Sequence, residues 1–242
     1  MAQIDELSVR PVWLTTLFQG REISHATGFF VRKAGAVFLL TNWHVVTGKD
    51  AETGNQEIQE PDELAIWYHV GGKLNAWEAH RVRLRDQVWD PTWVEHPLGR
   101  LVDVVAISLA PPEHADVYDV DLSMADADLA VWPGSAVSVI GFPHGMASAG
   151  KFPVWKTGHI ASDLDLDFEG RPAFLIDATT KPGMSGSPVF ARQYPVYRHN
   201  DGNATVGCRT RFLGIYSGHF HKVDVGRAWK PAAIREIMHR TG

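Results

Sequence analysis

Twelve short runs rich in Val, Ile, Phe, Trp and Thr recur along the chain, cut off from one another by Gly, Pro, Asp and Asn. This punctuation constrains the fold more than any other feature, because runs of that length with β-branched and aromatic residues form strands of a sandwich or barrel, and helical periodicity is scarce between them. Six runs fall in the first half: Val12–Phe18, Gly28–Arg32, Val37–Thr41, Glu63–His69, Glu78–Arg85 and Val104–Leu109. Six fall in the second: Ala136–Gly141, Val154–Ile160, Ala173–Asp177, Pro188–Ala191, Phe212–Tyr216 and Gly226–Trp229. Six strands suffice for one Greek-key barrel, and the acidic, Pro-containing stretch from Pro111 to Asp128 reads as the crossing between two of them. The expected fold is all-β, two six-stranded antiparallel Greek-key barrels over residues 1–115 and 126–242 of one domain. A short C-terminal helix follows, with Pro231 at its first turn and Ile234, Ile237 and Met238 on one face.

Composition narrows the function classes. A chain of 242 residues with 45% hydrophobic and 21% charged residues is an ordinary globular protein. Its formal net charge of −5 and lack of a basic run argue against nucleic acid as a partner. No stretch spans a membrane, and the acidic N-terminus lacks the apolar core of a secretory signal. The single cysteine, Cys208, excludes an internal disulfide, and a cytoplasmic location is expected from it. Cys208 reads as an unreactive thiol.

Three segments carry chemistry. Amide hydrolysis by a hydroxyl needs a Ser, a His that takes its proton, a carboxylate that orients the His, and donors for the oxyanion. In Thr41-Asn-Trp-His44 a buried strand delivers a His to the mouth of a turn. In Leu101-Val-Asp103-Val-Val-Ala-Ile a carboxylate heads an apolar strand, where its burial demands a donor such as His44. In Gly183-Met-Ser185-Gly-Ser-Pro188 a Ser sits between glycines, and the N–H groups of Gly183 and Ser185 can converge as an oxyanion hole.

In this order the segments resemble the trypsin-like, chymotrypsin-fold serine peptidases, and the likeness spans nearly the whole chain. The resemblance implies a serine endopeptidase with His44, Asp103 and Ser185 as catalytic residues, acting on a protein or peptide substrate without a cofactor or metal. It further implies an S1 region formed by Thr179 and Thr180 on one wall, Ser217, Gly218 and His219 on the other, and Gly226 at the far side. The nearest flavour is bacterial, similar to glutamyl endopeptidases and to HtrA-type protease domains without a PDZ domain. Thr180 matches a pocket threonine of the glutamyl group, whereas Tyr216 stands where that group has a histidine, a place that His219 or Lys181 could fill instead. Met184 occupies the position of the acid that captures a new N-terminus in zymogens, and no Ile-Val-Gly-Gly site occurs, so any control must come otherwise, from a regulatory protein partner or from the long segment from Arg192 to Arg211. That segment reads first as an ordinary surface insertion, with shaping or gating of the S1 side as the alternative.

Other classes fit less well. A silent peptide-binding module would be expected to lack a member of the triad. An α/β-hydrolase needs Gly at position 187 and the His after the Ser. A metal site at His219 and His221 lacks a carboxylate motif, and the acidic run from Asp163 to Glu169 reads as a solvated hairpin.

Overall fold

A computed structural model describes residues 4–220 and 222–241. Each of the twelve runs falls on a strand, with only Leu84, Arg85 and Val104 outside the strand ends, and four short strands join them. The first half contains β1 (Pro11–Phe18), β2 (Arg21–Lys33), β3 (Ala36–Thr41), β4 (Glu63–Val70), β5 (Lys73–Arg83), β6 (Trp93–Glu95), β7 (Val105–Leu109) and β8 (Ala115–Asp116). They form one antiparallel sheet in the order β5-β4-β1-β2-β3-β7-β6, with β8 added to β4. The count is therefore eight rather than six. The ends of the path approach where Thr92 N donates to Leu84 O at 3.2 Å, next to an isolated bridge between Arg85 and Pro91. The sheet curls without a continuous closing ladder.

The second half contains β9 (Ala136–Gly141), β10 (Val154–Ile160), β11 (Ala173–Asp177), β12 (Pro188–Gln193), β13 (Val196–Arg198), β14 (Ala204–Val206), β15 (Arg209–Phe220) and β16 (Val225–Trp229). Six of these close a barrel in the order β10-β11-β16-β15-β12-β9, while β13 and β14 pair only with each other. This is the chymotrypsin-like fold, with the expected C-terminal helix.

The expected crossing, residues 111–128, is not bare loop. It lays β8 against β4, sends Val120 N to Phe30 O at 2.8 Å, and ends in a single-turn 3₁₀ helix, Leu122–Asp126. One apolar cluster spans both halves, containing Phe29, Phe38 and Val104 from the first and Phe190, Phe212 and Trp229 from the second. The C-terminal helix seals it. Its Pro231 occupies the first turn, and Ile234, Ile237 and Met238 point into the cluster as their spacing requires. No helix among the described residues is long and apolar enough to cross a membrane.

Candidate active site

The ladder between β3 and β7 brings the first two chemical residues together. Thr41 pairs with Val105 at the end of both strands, so His44, three residues beyond Thr41, and Asp103, two before Val105, emerge at the same edge. His44 lies on a helix of just over one turn, α1 (Trp43–Thr47), not at the mouth of a turn as expected. Asn42 explains the difference: it adopts an extended conformation before the helix, and its Nδ2 donates to Asp103 O at 2.7 Å, tying the helix start to the strand that carries the acid.

Asp103 is buried at 2% exposure, so its carboxylate must find donors within the protein. It finds three. Oδ1 accepts the backbone N–H of His44 at 2.9 Å, and Oδ2 accepts from Ser217 Oγ at 2.6 Å and stands 2.7 Å from His44 Nδ1. An ionised carboxylate only accepts, so the proton belongs on Nδ1, and the opposite nitrogen of the neutral ring is left as an acceptor. That nitrogen, Nε2, is 2.9 Å from Ser185 Oγ. Burial pulls the pKa of His44 down. The charge and hydrogen bond of Asp103 and the charge of Glu57 pull it up, and the result is a pKa raised above the ordinary 6.5.

Ser185 arrives from the other half. In the barrel ring β11 and β12 are separated by β16 and β15, so the chain between them, residues 178–187, must cross the barrel mouth. The crossing is tight. Gly183 and Gly186 have φ of +94° and +85°, and an added Cβ would meet Phe142 O at 2.3 Å or Thr27 O at 2.0 Å. Thr27, a fully buried residue of β2, holds this loop at several points: its N–H donates to Ser185 O at 2.9 Å, and its hydroxyl donates to Gly183 O at 2.8 Å while accepting from Phe142 N at 3.1 Å. The carbonyl of Pro182 accepts from His144 N at 2.6 Å. Across a trans peptide the N–H of Gly183 then faces the opposite way, away from His144.

A cleft of about 450 Å³ opens at the three residues, and its lining includes His44, Ser185, Glu57, Thr180, Tyr216 and Arg227. Of the expected S1 residues, Ser217, Gly218 and His219 line it with Thr180. Thr179 is exposed outside the lining, and Gly226 lies behind Tyr216, whose ring an added Cβ would meet at 2.7 Å. Ser217 also has a second function that its sequence position did not show, the hydrogen bond to Asp103. Two features went unread in the sequence. Thr27 stood within an otherwise apolar run, Ala-Thr-Gly-Phe-Phe-Val, where a buried hydroxyl demands a partner. Arg227, 6% exposed between small and aromatic neighbours, donates to Glu52, which also holds Arg171.

Of the two readings of the long segment from Arg192 to Arg211, the structure matches the surface insertion and not the S1 gate. Pairing of β12 with β15 continues to Gln193 and Arg209, and β13 and β14 project beyond as a hairpin fixed to residues 128–130. Ala130 N donates to Arg198 O at 2.8 Å, and His199 pairs with Asp128 at 2.6 Å. None of residues 192–211 lines the cleft. Cys208 is exposed on this hairpin. Of the two histidines weighed and set aside as a metal pair, His219 stands 2.8 Å from Asp224, while His221 lies outside the described residues. Among the described residues no group of three or more His, Cys, Asp or Glu side chains is placed to hold a metal ion.

A family model for the trypsin-like peptidase domain matches residues 26–196, a span that includes His44, Asp103 and Ser185. The chain belongs to the trypsin-like peptidase family. No curated protein matches it as a sequence relative. Among solved structures, it is similar to the serine endoprotease from Yersinia pestis, with 14% identity, a TM-score of 0.53, and coverage of 96% of this chain but 62% of that one. It is also similar to the inactive form of the Rv3671c protease of M. tuberculosis, with 18% identity, a TM-score of 0.50, and coverage of 98% and 90%. At these identities the likeness concerns the fold. The chain spans less than two thirds of the Yersinia protein.

Proposed function

We propose that this trypsin-like peptidase is a serine endopeptidase working through His44, Asp103 and Ser185. The observation that carries the reading is the unbroken chain of hydrogen-bond distances, 2.7 Å from Asp103 to His44 and 2.9 Å from His44 to Ser185, built from both halves of the molecule. His44 Nε2 takes the hydroxyl proton of Ser185 as Oγ attacks the scissile carbonyl, and Asp103 steadies the imidazolium that forms. The N–H groups of Gly183 and Ser185 bind the developing oxyanion. His44 then returns the proton to the leaving amine, giving an acyl-enzyme on Ser185, and a water deprotonated by His44 releases the acid.

Substrates on this reading are proteins or peptides. The test is covalent labelling of Ser185 by a fluorophosphonate, together with hydrolysis of a diverse peptide pool. Wild-type protein labels and cleaves. Ser185→Ala does neither, with kcat lower by on the order of 10⁴ or more. Cleavage retained in Ser185→Ala overturns the assignment.

A further inference from the structure

The floor of the S1 region is already filled. Tyr216 is 2% exposed, and its ring stands between the two walls of the specificity region, Thr180 ahead of the nucleophile and Gly226 on β16. The phenol hydroxyl is hydrogen-bonded to Thr180 Oγ1. On the far side the ring is so close to Gly226 that an added Cβ would lie 2.7 Å from Cε2, with Ile176 at 3.2 Å behind it. The ring is also part of the barrel core, packed among residues such as Ala178, Met184 and Val189. It is anchored at its hydroxyl and along its edge, so it does not swing away to admit a long side chain.

From this we infer that Tyr216 is a specificity-determining residue that truncates the S1 pocket and restricts P1 to small side chains: Ala, Ser, Thr or Val. The inference rests on the peptidase reading of the same cleft. Chemistry at the floor supports it as strongly as shape does. A Glu at P1 would need a cation or free donors, and an Arg or Lys would need a carboxylate. The Thr180 and Tyr216 hydroxyls are engaged with each other, and burial, offset only in part by Thr180 and Arg227, pushes the phenol up to about 12, so it stays neutral. On the wall, His219 faces the carboxylate of Asp224 at 2.8 Å, which makes it a poor receptor for a second acid. Arg227 is turned toward Glu52, and Lys181 lines the cleft beside Thr180 at an exposed position, outside the buried Thr180–Tyr216 floor, so the Glu peptide of the series below measures what it contributes. Thr180, which on sequence resemblance pointed to Glu at P1, has its hydroxyl committed to the ring.

The experiment is a matched peptide series varied only at P1 (Ala, Val, Leu, Phe, Glu, Lys), assayed on wild type, Tyr216→Ala and Tyr216→Phe, with fluorophosphonate labelling of Ser185 measured in parallel. Wild type is expected to cleave after Ala and Val at least about tenfold faster in kcat/KM than after Leu or Phe, and faster still than after Glu or Lys. Tyr216→Ala removes the plug and moves the preference toward Leu and Phe by about ten- to a hundredfold, while the backbone bonds of residue 216 to Gly186 and Ser187 remain available. Tyr216→Phe keeps the ring volume and the small-residue preference. Normal labelling with wild-type preference for Leu, Phe, Glu or Lys overturns the inference and leaves the peptidase reading standing. Should Tyr216→Ala fail to fold, the wild-type and Tyr216→Phe profiles still decide it, because a large-residue preference in either contradicts a ring-filled pocket. Absence of both labelling and cleavage in folded wild type rejects the peptidase reading and the P1 assignment with it.

Discussion

The two halves of the molecule solve different problems with similar numbers of strands. The first is an open-path sheet whose ladder does the positioning: two neighbouring strands, β3 and β7, end in register, and His44 and Asp103 step off the same edge. The second is a closed ring in which Ser185 sits on a crossing between strands that are not neighbours. Register places His44 and Asp103 almost without special residues. Ser185 needs glycines at φ of +94° and +85° and a hydroxyl from the opposite half to hold its loop. His44 and Asp103 are thus placed chiefly by strand register, with one bond from Ser217 of the other half, and Ser185 by tertiary contact, and the two should respond differently to mutation.

The largest expected effect lies in the first half. Asp103→Asn retains shape but offers an NH₂ group where Oδ1 and Oδ2 now accept three donors, so the His44 tautomer is no longer enforced and kcat falls on the order of 10⁴-fold. The pH profile checks the cause. His44 has a pKa raised above 6.5, and catalysis needs its neutral form, so wild-type kcat/KM falls as pH drops through a value above 6.5. Removing the Asp103 charge, the largest upward influence, shifts that acid limb down. The sign for stability is the reverse: a raised folded pKa contributes stability fully below 6.5, and the contribution is lost as pH rises through the folded value. An unshifted limb in Asp103→Asn would show that the pair does not titrate as the geometry requires.

A smaller effect tests the junction. Thr27→Val removes the hydroxyl that serves Gly183 O and Phe142 N, leaving two buried groups short of a partner at a cost of about 1–3 kcal/mol. In a chain of this length each kcal/mol lowers Tm by about 2–4 °C. Because the hydroxyl grips the nucleophile loop, kcat should fall while the pH dependence of His44 stays as in wild type. A loss of stability with kcat intact would mean that the loop holds its shape without help from the first half.

Legibility in the sequence followed the same division. All twelve longer strands could be read from alternating apolar runs bounded by turn residues, and the three chemical segments from the company each residue keeps. The short strands β6, β8, β13 and β14, two or three residues each in all, are too brief for a period to register. The helix at His44 escaped because its five residues, Trp-His-Val-Val-Thr, have strand-like propensity, which the Asn42 bond to Asp103 O and the chain reversal override. Thr27 and Ser217 were visible as residues and invisible as partners, since each bonds across more than 100 positions of sequence. The contact between Thr180 and Tyr216 escaped for a related reason: read singly they point to opposite specificities, and the hydrogen bond that joins them spans 36 positions of sequence.

The smallest expected effect concerns the β13–β14 hairpin, the part of the second half that the ring does not include. Its polar contacts run to Asp128 and Ala130, through the His199 ion pair and the Arg198 carbonyl, its Tyr197 is buried in the barrel core cluster, and none of residues 192–211 lines the cleft. Replacing residues 194–207 by a tight turn between β12 and β15 should therefore leave kcat/KM and the P1 profile within about twofold of wild type, the range of ordinary surface changes. Stability should fall by more than a surface change costs, because the replacement removes the buried Tyr197 from the barrel core cluster together with the Asp128 bonds to His199 and the Asn200 N–H. Peptide profiling with a thermal melt separates the two readouts. A changed P1 preference would mean that the hairpin reaches the cleft through β15, whose far end carries Tyr216 and Ser217, and that the closed ring transmits strain along a strand instead of isolating the site from it.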